Sequence, residues 1–192
     1  MKNLSQETGR SMIEMLGVLA IIGVLSVGGI AGYSMAMAKF KTTKSVDQIQ
    51  TITTNVRTLL AGQRRWPTIS GASTWFNLGV LSDETYDGTN GYNSYGGKIN
   101  IESKTDATSG RIFTIEYTGI PKDACVKLGT SDWGGDAGSG LVSININSKG
   151  AYTWKTGQAQ SGSSEKVLPP TLTQVAGDCD NQTSNSIIWT YN

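Results

Sequence analysis

The sequence contains no histidine. That removes the commonest general base, the commonest zinc ligand and every Ser-His or Cys-His dyad. Cysteine is almost absent too, with only Cys125 and Cys179. Two thiols are too few for a closed thiolate metal site, and their separation excludes CxxC redox chemistry. Charge is scarce, at 16% of residues with a net of +1. Such a balance gives no electrostatic reason to expect nucleic acid as a partner. No Ser/Lys pair and no pair of carboxylates converges on a recognisable motif. The reading is therefore non-enzymatic, with no cofactor and no metal.

What remains is polar and small-residued, rich in Gly, Ser, Thr and Asn, around one long apolar run near the start. The length of 192 residues suits one globular domain plus an anchor. Few charges and many small polar residues are the composition of an exported, hydrogen-bonding domain. In that setting an even pair of cysteines reads as one disulfide, Cys125–Cys179, with two free buried thiols as the other reading. Closing a loop of that length contributes roughly 4 kcal/mol on a chain-entropy account.

No residue from Met15 to Ala38 is charged, and a helix of about 20 apolar residues spans a bilayer. Three readings compete. A cleaved signal peptide is suggested by Ala36-Met37-Ala38, but the run exceeds the usual apolar core of about 7–15 residues. A plain transmembrane anchor explains the length but leaves Glu14 and Gly9 without a purpose. The third reading is an assembly helix that continues past the apolar run. From Val46 onward Ile49, Ile52, Val56, Leu59 and Leu60 form one apolar stripe at helical spacing. Lys44, Asp47, Gln48, Gln50, Thr51, Asn55 and Arg57 lie off that stripe. Gly62 and Trp66-Pro67 mark its end. One helix of about 50 residues, roughly 75 Å long, is expected, apolar all round in its first half and amphipathic in its second. Gly28 and Gly32 supply a GxxxG spacing, useful for close helix approach or for flexibility. Lys39, Lys41 and Lys44 against Lys2 and Arg10 favour a cytoplasmic domain on charge count. Composition and the cysteine pair favour export, and export is the reading adopted.

Gly9, then Arg10-Ser11-Met12-Ile13, then Glu14 and the apolar run resemble the processing signature of type IV pilins and type II secretion pseudopilins. The match covers residues 1 to about 62. In that family a prepilin peptidase cuts after the glycine, the new amine is methylated, and a glutamate stands fifth. Here cleavage after Gly9 makes Arg10 first and Glu14 fifth. The sequence departs from the family pattern at Arg10, where a hydrophobic residue is usual, and in a leader, MKNLSQETG, that is only weakly basic. A carboxylate in hydrocarbon costs about 2.5–3.5 kcal/mol on insertion scales and demands a partner. The resemblance supplies one, the free amine at Arg10 of a neighbouring subunit, which makes Glu14 a register device as well as an attraction.

Beyond Trp66-Pro67 the chain reads as irregular to Gly97, with 87–97 an exposed loop. Alternating stretches follow at Lys98–Glu102, Arg111–Tyr117, Leu141–Ile146 and Ala151–Trp154, and again at Ser186–Tyr191. Asn147-Ser148-Lys149-Gly150 is a hairpin turn, and Pro121–Leu128 a short helix with proline in its first turn. The expected fold is α+β: a long N-terminal helix packed on an antiparallel sheet with one disulfide. That arrangement resembles a pilin headgroup, most of all the type IVb pilins of the toxin-coregulated and PilS kinds. The loop 131–136, and Asp178 and Asp180 beside Cys179, offer too few carboxylates for calcium and read as ordinary turns.

The resemblance implies a leader at 1–9, an assembly helix at 10–38, its amphipathic continuation at 39–62 and a headgroup at 63–192. It implies an inner-membrane precursor with a periplasmic domain, processed after Gly9, that polymerises into an extracellular fibre. The implied partners are copies of itself, the prepilin peptidase, the inner-membrane pilus assembly machinery and membrane lipid. A secretion pseudopilin or minor pilin is the near alternative, and a signal-cleaved binding or enzymatic domain the distant one. Loops 87–97 and 157–165 are where specificity would reside.

Overall fold

The computed structural model describes residues 5–106, 110–134, 139–154 and 166–192, with side chains from Met12 onward. It divides into two compact units, Met1–Phe40 and Lys41–Asn192. Helix α1 is assigned over Ser5–Leu60. In the second unit its stripe is the one expected from spacing. Ile49, Ile52, Val56 and Leu60 are buried, with Ser45 and Thr53 beside them, while Val46 and Leu59 are half-buried at its edge. Each such apolar side chain contributes about 1.5–3 kcal/mol when removed from water.

Among the described residues the sheet has six strands: β1 (Gly91–Tyr92), β2 (Lys98–Asp106), β3 (Gly110–Ile120), β4 (Leu141–Ile146), β5 (Ala151–Thr153) and β6 (Asn185–Tyr191). Their spatial order is β1-β2-β3-β6-β4-β5, every pairing antiparallel. The last strand in sequence thus lies inside the sheet, bonded to β3 on one side and β4 on the other. Its composition suits that place, since Ile187, Trp189 and Tyr191 alternate into the core. Phe113, Ile115 and Tyr117 of β3 and Ile144 of β4 join the same core as the α1 stripe.

Among the described residues three short helices complete the fold: α2 (Ala72–Asn77), α3 (Lys122–Gly129) and α4 (Leu172–Asp178). The expectation of irregular chain from Trp66 to Gly97 is corrected here. Helix α2 buries Trp75, whose indole N–H donates to Ile101 O at 2.7 Å. The segment 87–97 is likewise not simply exposed, because β1 lies within it and Asn93 is buried. The Asn93 amide donates to Thr118 O at 2.8 Å and accepts from the backbone of Tyr95 and Gly97. A Cβ at Gly97 would collide with the Thr118 carbonyl, opposite the irregularity in β3 between Tyr117 and Ile120. Only glycine permits that approach.

The β4–β5 hairpin turns as expected. Asn147 and Ser148 take positive φ of 48° and 56°, and Lys149 N–H donates to Ile146 O. Pro121 stands one position earlier than expected, at the N-cap of α3. Helix α4 escaped the sequence reading although it carries a full capping box, Thr171 with Gln174.

Candidate functional site

In the first unit the large apolar side chains of α1 from Met12 to Met35 are not buried against any of the described residues. Large side chains from Met12 to Met35 are 53–78% exposed. That is the state of a helix whose environment lies outside its own subunit. By length and composition it is able to cross a membrane. The glycines agree, because a Cβ built at Gly17, Gly23, Gly28, Gly29 or Gly32 would meet open space. Close approach within the subunit therefore does not explain them.

Gly9, Arg10 and Glu14 all fall on the helical backbone of α1. Four residues separate Arg10 from Glu14, about one turn or roughly 6 Å of rise. The Glu14 side chain is exposed at the head of the apolar run, where an intermolecular partner could reach it. Cys125 and Cys179 are bonded to each other and fully buried, joining α3 to the residue that caps α4. The two helices also meet at Gly129, where a Cβ would stand 2.7 Å from Val175 Cγ1.

Around the disulfide the structure assembles polar groups that sequence spacing did not bring together. Asp178, expected in a turn, ends α4 and is buried. Its Oδ2 accepts from Tyr152 OH at 2.5 Å and pairs with Lys166, whose ammonium also lies 5.0 Å from the Tyr152 ring centre. Burial pushes the Tyr152 phenol well up, and the Asp178 carboxylate adds to the shift. Asp180 pairs with Lys149 at 2.7 Å and accepts from Asn147, contacts that hold its carboxyl below the usual range, Lys149 foremost. Asn185 makes four hydrogen bonds: its amide donates to Ile120 O and Asn181 O, and its Oδ1 accepts from Asn147 and from Asn181 N–H. Both aspartates thus serve the turn and the helix end. Asp136 and the loop 157–165 lie outside the described residues.

At the other end of the sheet an aromatic ladder runs Trp66–Phe113–Tyr191, with centroids 5.9 and 5.3 Å apart. Arg111 covers its Trp66 end and Arg57 its Tyr191 end. Burial raises the Tyr191 phenol to about 12, against smaller lowering effects from Thr53 and Arg57. Between α1 and the segment 79–85 lies a groove of about 270 Å³ with polar and apolar lining.

A family model described as PilS N terminal matches residues 39–192. The major structural subunit of the bundle-forming pilus of Escherichia coli O111:H- is 27% identical over 186 residues, covering 96% of this chain and 93% of that protein. The same subunit from Escherichia coli O127:H6 is 26% identical with the same coverage. Among solved structures, TcpA, a type IV pilin from Vibrio cholerae El Tor biotype, superposes with a TM-score of 0.51 at 15% identity, covering 79% of this chain and 99% of that one. The likeness to TcpA extends the argument to the fold: a long helix on an antiparallel sheet with a late disulfide. With the family model matching most of its length, the chain belongs to the PilS N-terminal family.

Proposed function

We propose that this chain is the structural subunit of a type IVb pilus, held in the inner membrane by α1, cut after Gly9 and polymerised through the same helix into an extracellular fibre. The observation that carries the reading is the long α1 segment whose large apolar side chains from Met12 to Met35 stand exposed within the subunit. Bilayer lipid satisfies that surface before assembly, and neighbouring helices satisfy it afterwards. Cleavage creates an amine at Arg10, and a stagger of about one helical turn sets that amine against Glu14 of the adjacent copy. A wrongly placed copy leaves the carboxylate unpaired in an apolar surround, so the pair selects register. The prepilin peptidase and the inner-membrane assembly machinery are the partners this route requires.

The chain's own role is mechanical. The helix supplies cohesion, Glu14 sets register, and the disulfide-closed headgroup forms the outer wall. N-terminal analysis of subunits recovered from sheared fibres tests the scheme. A mature chain beginning at N-methylated Arg10 is expected. A chain beginning at Lys39, or fibres that persist when this chain is deleted, would overturn it.

A further inference from the structure

Two features of the headgroup remain unused by the scheme above. The first is Arg64-Arg65, directly after α1. Both side chains are exposed, and no carboxylate pairs with either among the described residues. Their backbone is nonetheless held firmly on both sides. Arg111 Nη1 donates to Gln63 O at 3.0 Å, Trp66 N–H donates to Thr105 Oγ1 at 2.8 Å, and the Trp66 indole donates to Leu60 O at 3.1 Å. Two guanidinium groups are thus presented on a fixed stem with no carboxylate partner among the described residues.

The second is the groove between α1 and segment 79–85, whose volume of about 270 Å³ admits a long side chain. Its rim carries Asp47, whose carboxylate has no hydrogen-bond or ion-pair partner among the described residues, and Glu84, shared with Lys44. Between them lie acceptors whose donors point inward. The Thr51 hydroxyl donates to Asp47 O, leaving its lone pairs free, and Gln48 Oε1 and Val80 O each receive one hydrogen bond. A planar fork of N–H donors suits such a wall of oxygens better than an ammonium does. Apolar Ile52 lines the groove beside the polar groups, room for an aliphatic stem.

Within one subunit the groove's carboxylate Asp47 lies away from the arginines, because it precedes the end of α1 at Leu60 by 13 residues, about 20 Å along the helix. We infer that Arg64 and Arg65 of one subunit dock into the Asp47–Glu84 groove of a second copy in the fibre. The contact joins unlike surfaces, so it repeats without closing, as a filament requires. Isolated exposed ion pairs are weak, but this one recurs at every subunit. The proposal rests on the polymerising role given above.

The test uses full-length chains in piliated cells. Arg64→Glu with Arg65→Glu should lower sheared-fibre yield about tenfold or more, as should Asp47→Arg with Glu84→Arg, while membrane levels of subunit hold steady. Combining all four reversals should restore yield to within about threefold of the parent, because complementarity is regained with its sign inverted. A second readout does not depend on yield. Asp47→Cys with Arg65→Cys should give a ladder of disulfide-linked oligomers in oxidised fibres, and neither single cysteine should. Parent fibres combined with unaffected reversal variants, or with no ladder from the paired cysteines, would overturn the docking and leave the pilin reading intact. Absence of fibres from the parent chain would instead overturn that reading itself.

Discussion

Removing the Cys125–Cys179 bond should cost the headgroup about 4 kcal/mol, nearly all of it through the unfolded chain. The bond closes a loop of 54 residues. On the chain-entropy account that length corresponds to about 14 cal/mol/K, or about 4 kcal/mol at room temperature. Folded-state contacts lose far less when both residues become alanine. The α3–α4 seam keeps Gly129 against Val175, and the buried residues Ala124, Leu128 and Val175 all remain. The small volume vacated by two sulfurs adds roughly 1 kcal/mol of cavity cost. The assay is urea unfolding of the full chain in detergent, followed by tryptophan fluorescence. All five tryptophans stand beyond Phe40, so the signal reports the headgroup alone. The double variant should show a lower midpoint and also a steeper urea dependence, because an uncrosslinked unfolded chain exposes more surface. A loss below about 1 kcal/mol, or a lower midpoint with no change in slope, would refute the entropic account.

Three further outcomes follow from other parts of the molecule. Glu14→Ala should insert at least as well as the parent, since a carboxylate in hydrocarbon costs about 2.5–3.5 kcal/mol, yet yield few fibres; normal piliation would refute the register role. Asn185→Ala should destabilise the headgroup by about 2–4 kcal/mol in the same urea assay, because two backbone carbonyls and two N–H donors lose a common partner. A change under about 1 kcal/mol would show that water replaces it freely. Burial raises the phenols of Tyr117, Tyr152 and Tyr191, the last to about 12. A raised folded value means stability is complete below the ordinary tyrosine range near 10 and falls as pH rises through the folded values. Phenolate absorbance should therefore climb in two stages, the second coincident with loss of tryptophan fluorescence. A single titration near pH 10 with the fold intact would be inconsistent with those buried sites.

Much of the fold could be read from local pattern because its strongest signals are local. The α1 stripe recurs every three or four residues, and the structure buries Ile49, Ile52, Val56 and Leu60 where that spacing puts them. The hairpin at 147–150 carries its own turn chemistry, realised in the positive φ of Asn147 and Ser148. Strand ends were less legible. Ser103-Lys104-Thr105 has no apolar residue, yet β2 continues through it, since Arg111 and Ile112 of β3 supply backbone partners and Ile69 adds a bridge. Helix α2 rests largely on Trp75 and helix α4 on Val175, too few apolar positions for a period to show. In 87–97 the composition speaks for exposed loop, but the Asn93 side chain satisfies backbone groups that water would otherwise take.

The same distinction separates the two halves of the functional surface. Gly9, Arg10 and Glu14 lie within six consecutive residues. The peptidase site and charge pair proposed there need only local chain, so they can be proposed from sequence alone. The Tyr152–Lys166–Asp178 cluster draws on β5, the segment after it and α4, and the groove pairs Asp47 with Glu84 across 37 positions of chain. No periodicity links such residues, and only the fold places them together. This has a consequence for how the fibre is specified. The apolar half of α1 is nearly uniform around its circumference, so hydrophobic cohesion alone would tolerate many axial and rotational offsets. Discrimination must then come from the few polar contacts with a fixed position. In the proposed fibre Glu14 would act at one end of the assembly helix, and the Arg64-Arg65 and Asp47–Glu84 surfaces on the headgroup. A subunit displaced by one turn keeps most of its apolar burial and forfeits all of these pairings, and that difference selects a single register.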